Sequence, residues 1–136
     1  MHTVGVNRKI AAEPEALRDA IRDVEPFMRA AGFDGVAVDG DAVTITNHVG
    51  LLTIELDLRL IDDPDAVLSY EQVNGIFEAM ETRYYLEPGP ETTTVSAETT
   101  YALDASFVGP LLDATVIDRQ RRKELNAQFD ALESLD

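Results

Sequence analysis

The sequence predicts an α+β domain in which a curled antiparallel sheet of about seven strands is crossed by one long helix. Three observations carry this. Between residues 35 and 103 the chain is a succession of alternating apolar and polar segments divided by Gly, Pro, Asp and Asn turns. Ahead of that run stand one alternating segment and two short helical ones. Behind it, Ser106 to Leu135 keeps helical periodicity throughout. Consecutive strands joined by short turns form a meander, and a meander twists and curls. A helix laid across its concave side leaves a space between the two, so an internal cavity is expected.

In chain order, Val4, Val6 and Ile10 share one side of the first strand, opposite Gly5, Asn7 and Lys9. The strand stops at Ala11-Ala12-Glu13-Pro14, where Pro14 suits a first helical turn, and Leu17, Ala20, Ile21 and Val24 follow at amphipathic helical spacing. Pro26 cannot continue that helix without losing a backbone hydrogen bond. A second short helix therefore begins at Pro26-Phe27-Met28, and Gly32 caps it. Gly35 to Val38 and Ala42 to Asn47 flank Asp39-Gly40-Asp41, a hairpin signal. Leu52, Ile54, Leu56, Leu58 and Leu60 then alternate strictly with Thr53, Glu55, Asp57 and Arg59, a period that leaves little room for a helix. Asp62-Asp63-Pro64-Asp65 turns into a strand on which Leu68, Tyr70 and Gln72 share a face. Asn74-Gly75 turns into Phe77 to Leu86, and Pro88-Gly89-Pro90 into Thr93 to Leu103, with Val95, Ala97, Thr99 and Tyr101 on one side.

The 136 residues read as one domain, 1 to 136, with enough chain to bury a core. Net charge is -15, from 26 acidic against 11 basic residues, and only Lys9 and Lys123 among the latter are lysine. Such a surface repels phosphate backbones and anionic lipid heads, so neither nucleic acid nor a membrane surface is expected as a partner. It also suits a cytosol at very high salt, where screening removes the self-repulsion. This halophilic-type composition predicts a fold that loosens in low salt. The absence of cysteine removes disulfides, thiolate metal sites and cysteine nucleophiles. Two histidines and scattered carboxylates lack metal-ligand spacing, and no glycine-rich phosphate loop or serine elbow is present. No metal and no cofactor is therefore expected. No window approaches a membrane span, and the first residues lack the basic-then-apolar pattern of an export signal. The expectation is a cytoplasmic protein without stable membrane insertion; oligomeric state is not legible.

On the last helix, Phe107, Leu111, Ala114, Asp118, Arg122, Leu125, Phe129 and Leu132 fall within one broad face at about 100° per residue. Burying Asp118 and Arg122 against a solid core is costly unless they are paired or wetted. The simplest solution is that the helix roofs a cavity. Arg122 would then reach in to hold a carboxylate, carbonyl or enolate oxygen, with Asp118 orienting it. The plainer reading is a helical ion pair at the rim, worth on the order of 0.5 kcal/mol if exposed. Most of Arg119-Gln120-Arg121-Arg122-Lys123 spreads around the axis as a solvated face.

The chain resembles the START/SRPBCC superfamily, in particular its polyketide cyclase/dehydrase-like branch, whose relatives include pollen-allergen-like proteins. The stretches that carry the resemblance are Val4-x-Val6-x-x-x-Ile10-Ala11-Ala12-Glu13-Pro14-Glu15-Ala16-Leu17, Val67-Leu68-Ser69-Tyr70, Tyr84-Tyr85-Leu86-Glu87-Pro88-Gly89, Thr93-Thr94-Val95 and Gly109-Pro110-Leu111-Leu112. The resemblance implies a helix-grip fold (β-α-α-β6-α), with the sheet wrapped around the C-terminal helix and a deep hydrophobic cavity between. It also implies a lipid, sterol, polyketide, hormone or quinone as ligand, and in a few members cyclisation or dehydration. One departure is the missing Trp often found near the second helix, which leaves the cavity mouth near Phe27 and His48 undefined.

By strand alternation the cavity walls are expected from Leu56, Leu58, Tyr70, Met80, Tyr84, Ala97 and Tyr101, with Phe107 and Leu111 from the helix and a polar spot at Asp118 and Arg122. Tyr84 and Tyr85 must point to opposite faces. His48, in the Asn47-His48-Val49-Gly50 turn, is the one candidate general base, although a lone histidine in a hairpin turn is ordinarily a surface residue. The leading function is binding or transport of a small hydrophobic molecule. A cyclase or dehydratase, with His48 or a tyrosine carrying the proton and Arg122 stabilising an enolate, is the alternative. A module that docks an apolar helix or tail of another protein is the third.

Overall fold

Every alternating segment of the sequence is a strand in the computed structural model, which describes residues 1–106, 109 and 112–135. The order is β1 (His2–Ile10), α1 (Pro14–Arg22), α2 (Val24–Arg29), β2 (Gly35–Asp39), β3 (Ala42–Val49), β4 (Leu52–Leu60), β5 (Leu68–Asn74), β6 (Phe77–Pro88), β7 (Thr93–Leu103) and α3 (Ala114–Glu133). The strands form one antiparallel sheet of seven, in the order β1-β7-β6-β5-β4-β3-β2. Strands β2 to β7 pair with their sequence neighbours, as a meander should. β1 closes on β7, with Val6 opposite Ala97 and Ile10 opposite Thr93. Register slips at Asp57/Leu58 and Phe77/Ala79 bend the sheet, because an extra residue on one strand raises the local twist. This is the helix-grip arrangement, a curved sheet holding a C-terminal helix.

Gly40 (φ 62°) and Gly50 (φ 62°) supply the left-handed backbone that the β2–β3 and β3–β4 turns require. Two boundaries differ from the sequence reading. Helix α2 starts at Val24 rather than Pro26, and Pro26 falls within the first turn, where its missing N–H had no helical partner to lose. Helix α3 starts at Ala114 rather than Ser106. Asp113 caps it by accepting from the Val116 amide at 3.0 Å. Just before the cap, Gly109 and Leu112 exchange two backbone hydrogen bonds of 3.0 and 3.1 Å, a tight turn incompatible with a continuing helix. Phe107 and Leu111 lie outside the described residues.

Helix α3 is held to β1 by Arg8, whose guanidinium reaches Asp130 at 2.6 Å, Glu133 at 2.7 Å and Asn126 at 3.1 Å. The apolar core lies between the concave face and the helices. Leu17 and Ile21 of α1 and Phe27 and Met28 of α2 are buried in it. Among the described residues no helix is long and apolar enough to cross a membrane.

Candidate functional site

Period-two alternation aims one row of each strand at α3. The rows are Val43, Ile45, Asn47 and Val49 on β3, Ile54, Leu56 and Leu58 on β4, Met80, Thr82 and Tyr84 on β6, and Val95, Ala97, Thr99 and Tyr101 on β7. Facing them, α3 buries Ile117, Arg121, Glu124, Leu125, Gln128, Phe129 and Leu132. The space between is filled in one half and hollow in the other.

In the filled half, the Tyr84 hydroxyl donates to Gln128 Oε1 at 2.6 Å, and Gln128 Nε2 donates to the Phe27 carbonyl at 3.0 Å. The Phe27 ring meets Tyr84 edge-on at 5.1 Å. Burial, helped by the neighbouring Tyr70, pushes the Tyr84 phenol well above its ordinary pKa, so it remains a neutral donor.

The hollow half lies under the N-terminal part of α3. A cavity of about 70 Å³ remains there, walled by Phe33, Ile45, Val49, Ile54, Leu56, Ile76, Phe77, Met80, Tyr101, Leu112 and Ile117. Its polar lining is confined to Asn47, Thr99, Gln120, Arg121 and Glu124. The volume exceeds the roughly 10–15 Å³ that one water needs and falls below the ~150 Å³ of an apolar cavity that admits benzene. Among the described residues it is not fully enclosed, and its lining reaches Val49 and Ile76 beside the β3–β4 and β5–β6 turns.

Arg121 organises the polar wall. Its Nε donates to Thr99 Oγ1 at 2.9 Å, Nη1 to Glu124 Oε1 at 3.0 Å, and Nη2 to Thr82 Oγ1 at 3.3 Å and to the Tyr70 hydroxyl. The second Glu124 oxygen accepts from Asn47 Nδ2 at 2.8 Å and Gln120 Nε2 at 3.1 Å. Burial works against the guanidinium charge, but the oxygens of Tyr70, Tyr84 and Glu124 outweigh it, and the Arg121 pKa lies above the ordinary arginine value. Arg121 therefore stays charged, with the Glu124 carboxylate 3.0 Å away as its counter-charge.

Of the residues expected on the cavity wall, Leu56, Met80 and Tyr101 line it. Leu58, Tyr70, Tyr84 and Ala97 share the buried interior but are packed away from the hollow, with Tyr70 and Tyr84 filling its far side. Tyr85 points outward, opposite to Tyr84. Asp118 is half-buried and accepts the Tyr101 hydroxyl at 2.6 Å. Burial first, and then this carboxylate, raise the Tyr101 pKa.

Arg122 corrects the sequence reading. It is exposed and donates to the Gly5 carbonyl at 3.2 Å, outside the cavity, and it makes no ion pair with Asp118 among the described residues. The inward arc is centred on Arg121 and Leu125, turned by part of one residue step from the arc drawn through Asp118 and Arg122. Four cations within Arg119–Lys123 made that turn invisible to charge periodicity. The usable signal was the 3–4 spacing of Ile117, Arg121, Glu124, Gln128 and Leu132, with an acid three residues after the arginine. His48 is a second correction. It lies on β3 rather than in the turn and is exposed on the convex face beside Thr53 and Asp34, because Asn47 and Val49 take the inward positions. It does not reach the cavity. No group of three or more His, Asp or Glu able to hold a metal is found among the described residues.

No family model matches the chain, and no curated protein matches it. Solved structures do. An aromatase/cyclase from a Streptomyces strain superposes with a TM-score of 0.77 at 17% identity, covering 97% of this chain and 93% of that one. TTHA0849 from Thermus thermophilus gives 0.76 at 19% identity, over 98% and 95%. A START superfamily protein from Mycobacterium smegmatis gives 0.72 at 17% identity, over 98% and 96%. At such identities the likeness establishes the fold.

Proposed function

We propose, from the START-like helix-grip fold and the hollow under α3, that this chain binds a small, mostly apolar molecule between its sheet and its last helix. The observation that carries the reading is an apolar-walled space between sheet and helix, where protein interiors are ordinarily close-packed. A ligand that places its carbon body there removes apolar wall from water. The volume suits a short chain or the edge of a ring inside, with the rest of the molecule protruding past the β3–β4 and β5–β6 turns. The cyclase or dehydratase reading has less support. Glu124 is committed to three donors, the Tyr101 proton is given to Asp118, and His48 faces away.

Native mass spectrometry of freshly purified protein is expected to show a small-molecule adduct that denaturation releases. Toluene is expected to shift the NMR signals of the Ile45, Leu56 and Met80 methyl groups, and Ile45→Phe, which fills the space, to abolish both observations. A protein without an adduct and without methyl shifts at toluene saturation would rule the reading out.

A further inference from the structure

We infer that the ligand presents a neutral hydroxyl to Asn47, so that the polar wall reads a hydrogen-bond donor and not an anion; this rests on the cavity being the binding site proposed above. A carboxylate can only accept, so Glu124 determines which end of each neighbouring amide faces it. The Asn47 nitrogen turns to Glu124 at 2.8 Å, and the carbonyl oxygen is therefore directed away from it. Asn47 is 8% exposed, lies on the β3 row between Ile45 and Val49, and lines the cavity. Its Oδ1 has no hydrogen-bond partner among the described residues. The oxygen keeps accessible surface rather than being sealed in the core, so a ligand hydroxyl entering the hollow can donate to it.

The arginine does not convert this wall into an anion site. Arg121 is held by Glu124, Thr99, Thr82 and Tyr70, and its charge is cancelled by Glu124. A carboxylate entering beside Glu124 would meet a like charge and no uncommitted cation, in a chain of net charge -15. An alcohol or phenol suffers neither. Its O–H donates to Asn47 Oδ1 while its carbon body lies against Ile45, Ile54 and Leu56.

Three one-ring probes test this by calorimetric titration of the whole chain: toluene, phenol and benzoate. Phenol is the more strongly hydrated of the first two, so an apolar hollow without an acceptor prefers toluene. Phenol binding at least as tightly as toluene, with benzoate not binding, is the expected result. Asn47→Ala, which removes the acceptor without narrowing the hollow, is expected to lower the phenol-to-toluene affinity ratio roughly tenfold. Toluene binding more tightly than phenol to the unaltered protein, benzoate binding tightest, or an unmoved ratio in Asn47→Ala would each overturn the inference while leaving the cavity a binding site. If neither toluene nor phenol binds, the proposed function fails and this inference with it. The comparison in the unaltered protein stands whether or not the variant folds.

Discussion

The two halves of the interior face the same helix and bury similar chemistry, yet one is solid and the other hollow. Under the C-terminal half of α3, Gln128 has both ends of its amide satisfied, by Tyr84 and by the Phe27 carbonyl. Under the N-terminal half, Asn47 has its nitrogen on Glu124 and its oxygen unpartnered among the described residues, beside the hollow. The filled half uses its polar groups to fix α2 against α3. The hollow half leaves one polar capacity unspent, and the proposed recognition rests on it.

Breaking the comparison from the hollow side should have the largest effect. Arg121→Met leaves Glu124 buried without its counter-charge and is expected to destabilise the fold by about 3–5 kcal/mol in urea denaturation, with Glu124→Gln added to it restoring part of the loss. The neighbouring Arg122→Met, on the exposed face, is expected to stay within about 0.5 kcal/mol. Equal losses in the two variants would mean that the helix is turned differently. From the filled side, Gln128→Leu strands the Tyr84 hydroxyl and the Phe27 carbonyl, and a loss of about 2–3 kcal/mol is expected with toluene affinity unchanged. A matching loss of affinity would show that the halves are not independent.

Alkali sharpens the contrast with the smallest step. Tyr84 in the filled half and Tyr101 at the cavity both have folded-state pKa values raised above the tyrosine value of about 10, first by burial. The unfolded chain then loses these protons at lower pH than the folded chain, so stability is fully present below pH ~10 and falls as pH rises above it. Each tyrosine is expected to contribute its own share of that loss as pH rises through the unfolded-state value. Tyr84→Phe removes one share and Tyr101→Phe the other, which pH-dependent thermal melts would resolve.

Much of this molecule was legible one residue at a time. Leu52 to Leu60 alternate, Asp39-Gly40-Asp41 turns, and Pro14 starts a helix because each choice is made by local backbone sterics and side-chain period. The inward rows of β4, β6 and β7 were readable for the same reason, and with them Leu56, Met80 and Tyr101. Arg121 was not readable, because adjacent residues on a helix differ by about 100° and the basic run offers no contrast between them. Asn47 escaped for another reason. As a polar residue at the inward end of β3 it reads as part of a turn until Glu124, far along the chain, is seen to meet it.

The sequence by itself determined the order of elements, the face each strand buries and the surface charge, since these depend on period and composition. Tertiary structure alone decided the rotation of α3, the pairing of β1 with β7, the filling of one half of the interior and the vacancy in the other. Those depend on how side chains distant in sequence share a fixed volume and satisfy one another's hydrogen bonds, and no local pattern encodes either.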